Sequence, residues 1–265
     1  MERSPETFAP FTLVDGDPAR GLVLLADHAA NRLPIEYGDL GLPAGEFRRH
    51  IAYDIGVAAV THALAAALGV PAVLSTFSRL LIDPNRGEDD PTLIMRLSDG
   101  AVVPGNAAVD AAERARRIAR FHASYHAAID AVLARALASG HPPALLSVHS
   151  FTPVWRGVPR PWHAGILWDR DPRFAVPLIE ALRADPRLVV GDNEPYAGAL
   201  RNDTMYRHAT VRGLAHALIE IRQDLIADEA GVSAWVDRLV PIVTGIVARP
   251  EVHEVSRYGS ASDEI

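Results

Sequence analysis

Four short strings in this chain hold residue types that could do chemistry together. His28-Ala29-Ala30-Asn31 comes first, followed by Asp83-Pro84-Asn85-Arg86, Ser147-Val148-His149-Ser150 and Glu220-Ile221-Arg222. Two imidazoles can hold a divalent metal, an Asn-Arg pair can hold a carboxylate, and an isolated Glu can take up and return a proton. Those are the parts of a metal-dependent amide hydrolase acting on a small, negatively charged substrate.

Amide hydrolysis at neutral pH needs an activated water, a stabiliser for the developing oxyanion and a proton for the leaving amine. A zinc ion on two or three protein ligands lowers the pKa of its water to about 7 and polarises the carbonyl. His28 and His149 are the candidate ligands, and Asp83 suits a place behind one imidazole, fixing its tautomer through the other ring nitrogen. Glu220 is the candidate base and acid. It stands in an otherwise apolar stretch, where burial would lift its pKa into the working range. Its bland alternative is an ion pair with Arg222, since i and i+2 on a strand share a face. Asn85 and Arg86 suit an α-carboxylate, through a neutral donor and a planar bidentate fork. The same residues also read simply as a turn.

Other residues are less committed. Arg79 could polarise the substrate carbonyl, clamp a side-chain carboxylate, or sit in a surface ion pair. Tyr196, Tyr206, His208 and Arg212 lie in one irregular stretch, and Tyr196 and Arg212 are taken as substrate-binding donors. His122 and His126 are four apart on a helix face and read as structural, because the residue two after His122 is Ser124 rather than Glu. Trp155, Arg156, Arg160 and Trp162 form either a loop over the site or amphipathic cover.

The elements that must position these residues alternate between strand and helix. Short apolar runs predict strands at 21–26, 70–76, 80–82, 144–148, 164–168, 188–190 and 215–221. Helical spacing covers 44–68, where Gly56 weakens the middle, then 107–139, 174–183 and 223–248. Residues 83–105 are rich in Gly, Pro and Asp and read as an irregular functional stretch. This order predicts a three-layer α/β/α fold around a mainly parallel, mixed sheet, in one hydrolase domain over 1–265, with about 249–265 as a frayed tail. In such sheets the site lies at the carboxyl ends of the strands. His28, Asp83, His149 and Glu220 all fall at or near predicted strand ends, which makes them one candidate site.

Composition narrows the rest. Nearly half of the 265 residues are hydrophobic and the formal charge is -7, a balance that argues against a nucleic-acid partner but not against an anionic substrate. There is no cysteine, so disulfides and thiolate metal sites are excluded and any metal must rest on His, Asp, Glu or water. The first twenty residues lack a signal pattern and no apolar run suggests a membrane span, so a cytoplasmic protein is expected.

The order of the strings resembles that of the zinc carboxypeptidases and their aspartoacylase-like relatives. The likeness to the N-formylglutamate amidohydrolase family is closer, and covers about residues 21–248. It is carried by Asp27-His28-Ala29-Ala30-Asn31-Arg32, Tyr53-Asp54-Ile55-Gly56, residues 78–86, Asn193-Glu194-Pro195-Tyr196 and residues 212–224. The resemblance implies a zinc-exopeptidase-like fold and hydrolysis of an N-acylated acidic amino acid. In that family N-formyl-L-glutamate yields formate and glutamate in histidine breakdown. By position, His28 and His149 match the metal-binding histidines and Asp83 the aspartate behind the first of them. Asn85 and Arg86 match the carboxylate clamp, and Glu220 the catalytic glutamate. One departure stands out: carboxypeptidase-like sites place a Glu ligand three residues after the first His, and here that residue is Asn31, whose amide oxygen carries no charge. Asp54 is the candidate replacement. In a helical segment its alternative is a surface charge or a pairing with Arg48 or Arg49.

Three readings compete. The first is a metal-dependent deformylase of an acidic amino acid. The second keeps the fold but takes an N-acetyl or N-succinyl substrate, and the third is a non-catalytic binder of small anionic metabolites. Serine hydrolysis lacks support, because no Gly-x-Ser-x-Gly elbow occurs.

Overall fold

Strand β2 (Leu22–Ala26) is buried along its whole length, and so is the longer β4 (Ala144–Phe151). Continuous apolar strands of this kind need cover on both faces. A computed structural model describing residues 8–264 provides it. The remaining strands of the main sheet are β1 (Phe11–Val14), β3 (Ala72–Ser75), β5 (Ala164–Leu167), β6 (Val190–Asp192) and β7 (His216–Arg222). They assemble in the order β1-β3-β2-β4-β7-β5-β6. The central strands β3, β2, β4 and β7 are parallel; β1 runs against β3, β5 runs against β7, and β6 follows β5.

Successive side chains of a strand point to opposite faces, and β2 divides accordingly. Leu22, Leu24 and Ala26 join a core with helices α1 (Val57–Leu68), α4 (Pro172–Arg183) and α6 (Glu229–Val247). Val23 and Leu25 join a second core on the other face. That face is covered by α2 (Ala111–Arg117) and α3 (Ala123–Ala138), joined through a π-helical turn at Ile118–His122, together with the short α5 (Thr204–His208). The sheet is therefore mixed, mostly parallel and flanked by helices.

Several local expectations are corrected. The helix expected over 44–68 begins only at Val57. Gly56 precedes it at φ 83°, and a Cβ there would meet the Ile226 carbonyl oxygen at 2.3 Å, so the chain turns sharply at this point. Asp54 consequently lies in an irregular buried segment, and the surface-charge alternative for it falls. Residues 80–82 form no strand. Leu80 and Leu81 lie in a turn and Ile82 just past it, all three are fully buried in the second core, and an apolar run of three cannot distinguish the two outcomes. Strand β1, half exposed at the sheet edge, was not expected.

The tail is docked rather than frayed. Val252, Ser260 and Ser262 are buried, and Arg173 donates to the carbonyls of Glu251, Glu254 and Ser256. The expected absence of a membrane-length apolar run also needs correction. By length and composition α6 is apolar enough to cross a membrane. Its Val232, Trp235, Leu239 and Val243 are buried in the first core, while Asp237 and Arg238 interrupt the other side.

Candidate active site

The carboxyl ends of the parallel strands bring the candidate residues together. His28 lies two residues past β2, and His149 lies within β4. Their Nδ1 atoms stand 3.3 and 2.9 Å from one oxygen, Oδ2 of Asp54. The two rings meet edge to face with centroids 5.0 Å apart, and all three residues are buried. One ligand atom from each lies within 4.8 Å of the others, so this cluster could hold a metal ion.

Both outer ring nitrogens are occupied by acids. His28 Nε2 is 2.7 Å from Asp83 Oδ1, and His149 Nε2 is 3.0 Å from Asp27 Oδ2. A carboxylate can only accept, so each Nε2 carries its hydrogen, and with a cation between the residues each Nδ1 would offer it a lone pair. Two nitrogen lone pairs and one carboxylate oxygen form a donor set that suits a divalent cation. Without a cation, protons must fill the same space. Burial pulls the His149 pKa down, but its hydrogen bonds to Asp27 and Asp54 overcome this and hold it well above the usual imidazole range. Burial likewise opposes ionisation of Asp54, Asp27 and Asp83. The charges and hydrogen bonds of the imidazoles, with Arg79 in the case of Asp83, hold all three below the usual carboxylate range.

Asp27 is the functional candidate that sequence reasoning missed. It accepts from Tyr125 Oη and Thr204 Oγ1 on one oxygen, and from Ser147 Oγ and His149 on the other. The available signal was its position at the end of a wholly apolar strand. Asn31 donates its side-chain amide to the Phe47 carbonyl at 2.6 Å and so braces a loop, while Asp54 stands between the imidazoles.

Glu220 is the register partner of His149 across the β4–β7 pair and of Gly165 across β5–β7. It is buried, and its Oε2 has no hydrogen-bond partner among the described residues. Burial raises its pKa to about 7, partly opposed by the charge of His149. The alternative pairing with Arg222 falls, because that guanidinium holds Asp224 at 2.8 Å.

A cavity of about 440 Å³ opens over these groups, lined by His28, Asp54, His149, Glu220, Arg79, Asn85, Arg86 and Tyr196 among others. Arg79 clamps Asp83 Oδ2 through Nε and Nη2 at 3.1 and 2.7 Å. The Asn85 Oδ1 accepts from the Thr204 backbone, and Arg86 donates to the Asn85 carbonyl at 2.7 Å. Asp83 to Arg86 is thus a turn whose last two residues line the cavity, so the turn reading does not displace the clamp reading. Tyr196 belongs to a wall pinned by Asn193, whose Oδ1 accepts from both Trp168 and Gly198 backbone nitrogens.

Arg212 is not in the cavity. It ends a 3-10 turn and pairs with Asp130, so its assignment to substrate binding is corrected. The physical reason is that the irregular stretch before β7 faces two ways, Tyr196 inward and Arg212 toward α3. Tyr206 bonds Asp263 at 2.7 Å, also outside the cavity. His122 and His126 donate toward the Arg86 and Pro84 carbonyls at 2.9 and 3.0 Å, and His126 meets His208 at 2.8 Å.

The model of the N-formylglutamate amidohydrolase family matches residues 20–227, a span that includes every residue of this cluster. The chain belongs to that family. Two solved structures are similar to it over most of their length. A gene product of Agrobacterium tumefaciens is 31% identical with a TM-score of 0.84, over 90% of this chain and 95% of that one. An N-formylglutamate amidohydrolase from Ralstonia eutropha JMP134 is 25% identical with a TM-score of 0.63, over 91% and 97%. No curated protein matches the sequence. Family membership makes the chain an amidohydrolase.

Proposed function

We propose that this protein hydrolyses N-formyl-L-glutamate to formate and L-glutamate with a divalent metal, zinc, held by His28, Asp54 and His149. The observation that supports this most is the unpartnered carboxylate of Glu220, on the strand adjoining a buried two-nitrogen, one-oxygen donor set. A metal there would lower the pKa of a bound water and polarise the formyl carbonyl.

The chain's own residues do the rest. Asn85 and Arg86 take the α-carboxylate and fix the amide over the cluster, since a bidentate guanidinium orients as well as attracts. Glu220, poised near neutrality, accepts a proton from the attacking water as the oxygen–carbon bond forms. It returns that proton to the amide nitrogen as the carbon–nitrogen bond breaks, and glutamate leaves as the amine. Arg79 keeps Asp83 ionised and lies near enough to the cavity to face developing negative charge. Asp83 and Asp27 hold the two imidazoles in the tautomer that leaves Nδ1 free.

A cytoplasmic setting and a place in histidine breakdown belong to the same proposal. The test is a panel of N-formyl-, N-acetyl- and N-succinyl-L-glutamate, with free glutamate measured. Formyl cleavage should exceed the others by at least about tenfold. A preference for a larger acyl group would move the assignment to another N-acyl acidic amino acid.

A further inference from the structure

Three arginines are buried among the described residues, and two of them hold acids: Arg117 pairs with Glu113 and Arg173 with Asp171. Arg160 does not. It is 9% exposed, and no carboxylate of the described residues lies within the 4.0 Å of an ion pair. Its Nη1 donates to the Thr152 carbonyl and Oγ1 at 3.4 and 3.3 Å. Its guanidinium instead lies over the rings of Phe151, Trp155 and Tyr196, 5.6, 5.3 and 5.1 Å from their centroids. Such contacts offset part of the cost of a buried charge but do not use the remaining N–H donors.

The location of this cation gives it a use. Every side chain that it touches (Phe151, Thr152, Trp155 and Tyr196) lines the active cavity. Tyr196, under the Arg160 guanidinium, lines the same cavity as Glu220. Arg160 stands directly behind that wall, and the two arginines that line the cavity itself are accounted for. Arg79 is committed to Asp83, and Arg86 stands with Asn85 on the loop assigned to the α-carboxylate. A dicarboxylic substrate leaves one acid to be read.

We propose that Arg160 is the subsite for the side-chain carboxylate of the substrate, and that it distinguishes an acidic side chain from its neutral amide isostere. The inference rests on the proposed reaction for the orientation of the substrate, and its test is a binding measurement so that the two fail separately.

The measurement is calorimetric titration of the zinc-loaded Glu220→Gln protein with N-formyl-L-glutamate and N-formyl-L-glutamine. The acid should bind tighter by roughly thirtyfold, the range of a charge-assisted hydrogen bond. Adding Arg160→Gln should bring the ratio to within about threefold of one, whereas adding Arg86→Ala should weaken both ligands alike, because both keep the α-carboxylate. Equal binding of the two ligands before Arg160 is changed, or an undiminished ratio after it, overturns the proposal. If Arg160→Gln does not fold, Arg160→Lys decides: charge without the planar fork should lower the ratio, and an unchanged ratio overturns the assignment. A protein that releases no formate yet prefers the acid would refute the catalytic reading and leave this one standing.

Discussion

Glu220 and His149 face each other across two parallel strands, as register partners in the β4–β7 pair. Side chains alternate between faces along a strand, so a slip of one residue would send Glu220 into the opposite core. The register therefore places a carboxylate with a pKa of about 7 beside a ring that contributes to the donor cluster. The proposed proton carrier stands on β7 and the proposed metal ligands on β4 and in the segments after β2 and before α1, so the two roles should separate under mutation.

Glu220→Gln removes the proton carrier and keeps the shape of the side chain. Turnover should fall by at least about a thousandfold, while bound metal, measured by elemental analysis, remains near the level of the unmodified protein. Loss of metal together with activity would make Glu220 a ligand and overturn its role.

Asp27 and Asp83 should act through the imidazoles. Asp27→Asn and Asp83→Asn leave both ligands in place but loosen their tautomer and orientation. Each should weaken zinc affinity by about 10–100-fold, read by competition with a chromogenic chelator. An unchanged affinity in both variants would show that the ring orientation is held by packing alone.

Part of this was legible in the sequence. His28, His149 and Glu220 were recognisable because each is a polar residue at the end of, or within, an apolar run that a covered parallel sheet requires. Asp54 was harder to place, since the Ala-rich spacing around it reads as helix and only the left-handed turn at Gly56 ends that reading. The expected strand at 80–82 failed for a related reason: three buried apolar residues look the same whether they pair or merely pack. Arg212 and Arg160 show where sequence stops. Which arginine finds an acid is decided by tertiary contacts, with Asp130 on α3 for the first and aromatic rings for the second.

The imidazoles packed behind the turn at Asp83 to Arg86 give a pH signature. Burial, with the neighbouring imidazoles in the case of His126, pushes the pKa values of His122, His126 and His208 below the ordinary value, against the pull of Asp130 on His208. The unfolded chain then binds more protons than the folded one. Their contribution to stability is complete above about pH 6.5 and is lost as the pH falls below it, by up to about 1.4 kcal/mol per pH unit for each ring. Glu220 and Asp203, each raised to about 7, act with the opposite sign, losing stability as the pH rises through that range. The clean readout is a difference: urea unfolding from pH 6.5 to 5 should be less acid-sensitive in His126→Gln than in the unmodified protein. Equal slopes would mean that His126 does not titrate differently on folding.

The most direct measurement is formate release from N-formyl-L-glutamate by protein stripped with a chelator and then restored with one equivalent of zinc. Turnover should vanish on stripping and return with zinc. Turnover that persists at full rate in demonstrably metal-free protein, or that is absent from fully zinc-loaded protein, would contradict the assignment of His28, Asp54 and His149 as the centre of a metal-dependent deformylase.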